Sequence, residues 1–452
     1  MSVMSISTIQ GKRALLAGIA LLLAGYAGAA SAITFKEAYE AARANDPTFR
    51  MNYYENEMGK ENKVLGRAGL LPNVSVSYSA NRNRSDLTTE LTAGKEALTH
   101  PEYISRAAAL SLRQPLLNLE AVARYRQGKV QADQSQAQFD THRSEMVLRF
   151  AGAYLEALLA GDAVELAKAQ RDTYAEQAKV NDRLFEKGEG TKTDMLETAA
   201  KLDQAEAAVL EAEDNLTADR NTLAALIGQD PGPLQPLALP FHPPRLEPAA
   251  FDDWRAIALA NNSEVKAAQL AAEVARLEIQ KARAGYAPRI DLIAAYSKNN
   301  AETVNTYNQS NLNRSVGVQL NMPIYSGGQI SAVARQAVAG YERAKSDLQA
   351  RTDKVLIDLR KAHSTAVSSV ARVAALEKAA LSGQLLTKAT EQSIKGGVRI
   401  NLDLLNAQAQ LSSVRRDLAQ ARYNQLMAIL RLRAAAGTLS EADVYDIAKL
   451  FH

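Results

Sequence analysis

Few residues in this chain have the type and spacing for covalent chemistry. Its five histidines, His100, His142, His242, His363 and His452, are scattered without the short ligand spacing of a metal site. Cysteine is absent, so thiolate nucleophiles, thiolate metal ligands and disulfides are all excluded. No phosphate-binding Gly-rich loop and no nucleophile elbow occurs, so the residues predict neither an enzyme nor a metal or cofactor site. What the sequence offers instead is a chemistry of solvation. In the stretch RSVGVQLNMPIYSGG (314–328), Val316, Val318, Leu320 and Met322 alternate with Ser315, Gly317, Gln319 and Asn321. A period of two gives a strand one apolar and one polar face. The first requires lipid or a core; the second requires water.

Three other stretches alternate in the same way. Val74, Val76 and Tyr78 oppose Ser75, Ser77 and Ser79; Leu110 and Leu112 oppose Ser111 and Arg113; Ile290, Leu292, Ala294 and Tyr296 interleave with Asp291, Ala295 and Ser297. The spacing predicts strands over about 73–82, 105–114, 289–297 and 314–322. Each is close to the ~9–11 residues that a tilted strand needs to cross a bilayer. Long polar segments, NRNRSDLTTELTAGKEALTHPEYIS and KNNAETVNTYNQSNLN, join them in pairs, as in outer-membrane barrels. Alternation alone would equally suit a soluble sheet laid on a core.

The N-terminus favours the membrane. Lys12 and Arg13 precede an apolar run from Ala14 to about Leu23, and small residues follow up to Ala30-Ser31-Ala32. This is the pattern of a secretory signal peptide over 1–32, cut after Ala32. The apolar core is shorter than the ~20 residues of a spanning helix. The formal charge of +3 falls to about +1 without Lys12 and Arg13, which gives no electrostatic case for nucleic acid.

The rest of the chain is written twice. Phe35, Asn45, Glu57, Gly69 and Pro72 recur at one constant offset as Phe251, Asn261, Glu273, Gly285 and Pro288. Gly188, Asp194, Leu196, Leu202 and Gly228 recur as Gly397, Asp403, Leu405, Leu411 and Gly437. The repeats are placed at 33–230 and 251–437, joined by a linker over 231–250 that lies within a stretch holding more than half of the thirteen prolines, with a tail at 438–452. Each repeat reads as a helix (34–70; 251–285), two strands, a very long helix (119–186; 329–394) and a final helix (192–227; 401–436). At 1.5 Å per residue the long helix spans roughly 100 Å.

The final helix carries a coiled-coil seam, Leu404, Ala407, Leu411, Val414, Leu418, Ala421, Gln425, Ala428, Leu432 and Ala435. The long helix has two adjacent stripes, Val147, Phe150, Tyr154, Ala157 and Leu148, Ala151, Leu155, Leu158. Two stripes call for two neighbours, as in the wall of a cylinder or in an antiparallel bundle. The fold class expected is therefore mainly α with a membrane β-barrel portion. Four strands cannot close a barrel and open edges cannot face lipid, so several chains must pool theirs.

Two copies of helix, strand, strand, long helix and helix after a signal peptide resemble the TolC family of outer-membrane export channels. The stretches NDPTF (45–49), GRAGLLP (66–72), NDRLFEKGEGTKTDMLETAAKL (181–202), MPIYSGG (322–328) and GGVRINLDLLNAQ (396–408) are similar to those of type I secretion members of the PrtF type. The resemblance implies a homotrimer in the outer membrane, a twelve-stranded barrel in lipid, and a helical tunnel in the periplasm. It implies docking to a periplasmic adaptor (membrane fusion protein) and an inner-membrane ABC transporter, with a secreted protein as cargo. Small-molecule efflux is the alternative. It also places a periplasmic gate at the two turn tips, with Arg399 facing Thr193 and Asp194, and Asp403 ringing the entrance. Asn406 stands at the second ring position, where an aspartate would complete a double ring. Ile394 stands where some members have tyrosine, so that hydrogen bond is expected to be missing. The bland alternative for Arg399 and Asp403 is exposed charge at a helix end.

Overall fold

The computed structural model describes residues 33–91, 94–244, 246–301, 309–396 and 398–451. The signal peptide expected over 1–32, the tip of the second strand connection and Gly397 lie outside them. The described chain forms two compact units, each assembled from discontinuous segments.

One unit comprises Asn52–Thr141 and Ser263–Val355. It holds a four-stranded antiparallel sheet in the order β1 (Asn73–Arg84), β4 (Glu102–Leu117), β5 (Arg289–Ala301), β6 (Gln309–Asn321). Within the first connection, β2 (Leu87–Leu91) and β3 (Lys95–Thr99) form a separate hairpin. The register is in phase with the alternation. Val74 faces Leu112 and Val76 faces Leu110. Leu292 faces Val318 and Ile290 faces Leu320. One face of the sheet therefore gathers the apolar residues of all four strands. All four strands run beyond the alternating stretches. Polar residues such as Asn81, Asn83, Asn300 and Asn311 continue the ladder, because its hydrogen bonds are made by the backbone.

The helices flanking the sheet approach closely at small residues. A Cβ on Gly66 would lie 2.8 Å from the Arg124 carbonyl oxygen, and one on Gly128 would lie 2.3 Å from that of Asn62. Glycine at both positions lets α3 (Asn62–Ala68) lie directly against α4 (Leu119–Glu186).

The other unit contains the described parts of Met1–Met51, His142–Asn262 and Leu356–His452. One helix is expected over 34–70, but the structure has three: α1 (Phe35–Asn45), α2 (Pro47–Lys60) and α3. Thr34 and Glu37 make a capping box at the start of α1. Asp46 then interrupts it: its carboxylate accepts from the Thr48 amide at 2.9 Å and pairs with Arg149, while Pro47 starts the next helix. In the second repeat α6 (Phe251–Asn261) likewise ends at Asn262 before α7 (Ser263–Arg283). The long helices α4 and α8 (Gln329–Lys395) and the shorter α5 (Lys192–Ile227) and α9 (Asn401–Ala435) are uninterrupted.

Both stripes of α4 are buried or half-buried in one cluster with Phe35, Tyr39, Leu223, Ile227, Leu426 and Leu430. Phe35 stacks on Phe451 at 5.3 Å and meets Tyr154 edge-on at 4.9 Å. Residues 441–448 are not loose: α10 (Glu441–Ala448) starts with a Ser440–Asp443 capping box and buries Val444 and Ile447 in this core.

Candidate functional site

The tips of the two helical hairpins lie in the same compact unit. The chain leaves α4 through Gly188, whose φ of 76° is a left-handed conformation that favours glycine. Thr191 then caps α5. The Asp194 amide donates to Thr191 Oγ1 at 3.1 Å, and Thr191 Oγ1 donates to Asp194 Oδ2 at 2.6 Å. The Asp194 carboxylate is thus fixed in the first turn of α5, where the helix dipole favours a negative charge. The second tip has no such side-chain cap. Ile400 precedes α9, and Asp403 occupies its first turn.

A polar network joins the tips within one protomer. Asn181 Nδ2 donates to Thr198 Oγ1 at 2.7 Å, and Asn401 Nδ2 donates to the same oxygen at 3.1 Å. Gln177 Nε2 donates to Asn181 Oδ1 at 3.1 Å and Asn401 Oδ1 at 2.9 Å. Thr198 Oγ1 itself donates to the Asp194 carbonyl oxygen at 2.8 Å. Thr198 and Asn181 are buried. Beside the network lie Tyr174, Ala205 and Leu405, a small apolar cluster packed with Leu202. Helices α4, α5 and α9 are therefore locked together directly behind the turns.

Thr193, Arg399 and Asn406 are exposed, whereas Asp194, Asp403 and Ile394 are half-buried. Arg399 makes no hydrogen bond or ion pair within the protomer among the described residues, so one chain alone does not bring it to Thr193 or Asp194. The network is only faintly legible in the sequence. Its signal is Thr198, a hydroxyl in the coiled-coil seam at the position where the second repeat has Ala407.

On the sheet, Val316, Val318 and Leu320 lie open on the apolar face, whereas Met322, expected on the same strand, is exposed one residue past the end of β6 at Asn321. Along β4, Arg106, Ala108 and Leu110 are exposed, whereas Ala107, Ala109 and Ser111 between them are half-buried. Along this stretch the apolar face is the more open of the two. The polar side carries Ser75, Ser77, Ser111, Ser297, Ser315 and Gln319, with Ser75 and Ser111 hydrogen-bonded across strands at 2.7 Å. Near its helix end the buried Asp291 is held between Arg113 at 2.6 Å and Arg289 at 3.0 Å. The arrangement is that of a barrel wall: apolar outside, hydroxyls and amides inside. No helix among the described residues is long and apolar enough to cross a membrane.

A family model described as outer membrane efflux protein matches residues 38–229 and 254–438. The chain belongs to this outer membrane efflux protein family. It is the TolC-type family that the repeated motifs resemble, and its two matched segments follow the two repeats. Family members similar to this chain include the alkaline protease secretion protein AprF of Pseudomonas aeruginosa, 41% identical over 426 residues, which cover 93% of this chain and 88% of AprF. The proteases secretion protein PrtF of Dickeya chrysanthemi is 36% identical over 449 residues, covering 97% of this chain and 95% of PrtF. Among solved structures, the CmeC outer-membrane channel of Campylobacter jejuni superposes with a TM-score of 0.76 at 15% identity, over 92% of this chain and 90% of that one. At that identity the likeness speaks for the fold. As an efflux-family member the chain is an outer-membrane protein and a passive conduit, not an enzyme.

Proposed function

We propose that this chain is the outer-membrane conduit of a type I, ABC-transporter-driven protein secretion system. The observation that carries the reading is similarity over nearly the whole chain to two proteins named for protease secretion. The sheet supports the conduit itself. Its polar face offers serine, asparagine and glutamine side chains, which hydrate a passing polypeptide without holding it. Three chains pooling four strands each make a twelve-stranded barrel, wide enough to conduct. The helical hairpins would meet a periplasmic adaptor, and the ABC transporter would supply the energy.

The exposed Arg399 of one protomer then reaches Thr193 and Asp194 of the next, and three Asp403 carboxylates surround the entrance. The intraprotomer network on Thr198 holds each hairpin pair in the position this contact needs. Ile394 takes no part in a polar link.

The test is a deletion strain complemented with the intact chain. Loss of protease activity from the medium, restored by the chain and not by a signal-less version, is the expected result. Normal secretion together with increased sensitivity to toxic small molecules would assign the conduit to efflux instead.

A further inference from the structure

On the apolar face of the sheet a cation follows the apolar run on every strand; beyond it the same face continues through Ile104 and Glu102 on β4 and Leu312 on β6. Followed toward the loop end, the outward residues of β1 are Val74, Val76, Tyr78, Ala80 and then Arg82. On β4 they are Leu112, Leu110, Ala108 and then Arg106. On β5 they are Ile290, Leu292, Ala294, Tyr296 and then Lys298. On β6 they are Leu320, Val318, Val316 and then Arg314. All four cations are exposed.

Their registers form one line. Arg106 lies opposite Ala80, two residues from Arg82. Lys298 lies opposite Ala108, two residues from Arg106. Arg314 lies opposite Tyr296, two residues from Lys298. The offset has the same sense at each step. Diagonal neighbours of this kind stand within ~7–8 Å of each other. In a closed barrel the strands tilt by about 35–45°, so a horizontal line must step along the strands by about one to one and a half residues per strand. The diagonal of cations, at two per strand, slopes slightly more than that tilt takes up. The opposite edge of the apolar face slopes the same way: Val74 begins it on β1, whereas β5 and β6 carry it further toward the helices, through Leu292 and Val318 to Ile290 and Leu320.

The charges are largely unspent. Glu102 pairs with Arg82 at 2.9 Å and with Arg84 at 3.8 Å. Arg106, Lys298 and Arg314 have no carboxylate partner among the described residues, and Arg314 lies over the Tyr296 ring at 5.6 Å. No acidic residue shares the apolar band below them. Long basic side chains at the edge of an apolar band extend their charge into the headgroup layer while the stems stay in hydrocarbon.

We propose that this line of cations is a binding surface for the phosphorylated glycolipid of the outer leaflet. Its acyl chains would lie on the valine and leucine band, and its phosphates would meet Arg106, Lys298 and Arg314. Guanidinium groups suit phosphate because they donate two parallel hydrogen bonds. The inference rests on the barrel assembly proposed above, where three chains turn the line into a continuous belt.

The experiment uses the full-length chain, first sized by native mass spectrometry in detergent. It is then placed in phosphatidylcholine nanodiscs containing bis-phosphorylated lipid A, fully dephosphorylated lipid A, or phosphatidylglycerol at equal charge. The wild type should enrich phosphorylated lipid A over the dephosphorylated form by at least about tenfold, the scale of one to two basic residues at a charged surface. Replacing Arg106, Lys298 and Arg314 together by glutamine should abolish the enrichment, whereas Lys345→Gln on α8 should keep it. Equal retention of both lipid A forms by an assembled wild type, or equal enrichment of phosphatidylglycerol, would overturn the proposal. Should the triple variant not assemble, the wild-type comparison decides alone. A wild type that fails to form a trimer refutes the assembly, a distinct result read before any lipid is added.

Discussion

Thr198 accepts two amide hydrogens and donates its own, so three helices depend on one hydroxyl. Thr198→Val keeps the shape and removes the oxygen. It should cost about 1–3 kcal/mol, because the buried Asn181 amide and the half-buried Asn401 amide lose their acceptor, and amide exchange in 187–198 should accelerate. Thr198→Ser should preserve slow exchange; unchanged exchange in the valine variant would remove the lock. Asp162 is a second buried polar group. It accepts from the Tyr423 hydroxyl at 2.7 Å, and burial pushes its carboxyl above the ordinary 3.8. The fold therefore favours its protonated form, and the associated stability is present below the ordinary pKa and lost as pH rises through the raised one. Asp162→Asn keeps an acceptor for Tyr423 without charge. It should melt higher than wild type at pH 7, with the gap closing by about pH 4; a gap independent of pH would refute this. The sequence marks Thr198 only as a hydroxyl within an apolar seam, and Asp162 not at all. Arg399 and Asp403 stand out only through motif resemblance, and of the partners of Thr198 Asn181 is near in the chain whereas Asn401 lies 203 residues away.

At the scale of the element, the strands test their faces directly. Val318→Arg should impair membrane insertion by ~2–4 kcal/mol if it lies near the bilayer midplane, and Gln319→Arg should be milder because it faces water. Equal damage at both positions, read as folded fraction in a lipid refolding assay, would sink the face assignment. The long helices were fully legible: neither 119–186 nor 329–395 contains a proline, and each carries apolar residues at helical spacing. The strands were legible only as far as their alternation, since hydrophobic pattern ends where lipid ends and backbone pairing does not. The breaks at Asp46 and Asn262 were hidden inside good helical periodicity. Their cause is local: at Asp46, a side chain that caps the next helix and takes an arginine from α4.

For the whole molecule, the tips decide how the resting conduit is held. Exposed ion pairs contribute only ~0–1 kcal/mol each, so the three proposed contacts of Arg399 form a closure that partner binding can open. Arg399→Ser should widen the resting channel, and Asp403→Ala should weaken both cation selectivity and block by trivalent cations. Single-channel recording in planar bilayers reads both: unchanged conductance in the first variant removes the gate, and unchanged block in the second removes the ring. A different consequence follows from the stacking of Phe35 on Phe451 and the ion pair of Arg43 with Glu441 at 2.6 Å. The helical core needs the beginning and the end of the described chain together. A polypeptide threaded through the inner membrane from its N-terminus presents Phe35 hundreds of residues before its partner arrives. Contacts so distant in sequence close slowly, and the ordering entropy falls due only when the last helix is delivered. The topology thus postpones completion of this core until Phe451 has been delivered, whatever local structure forms before it.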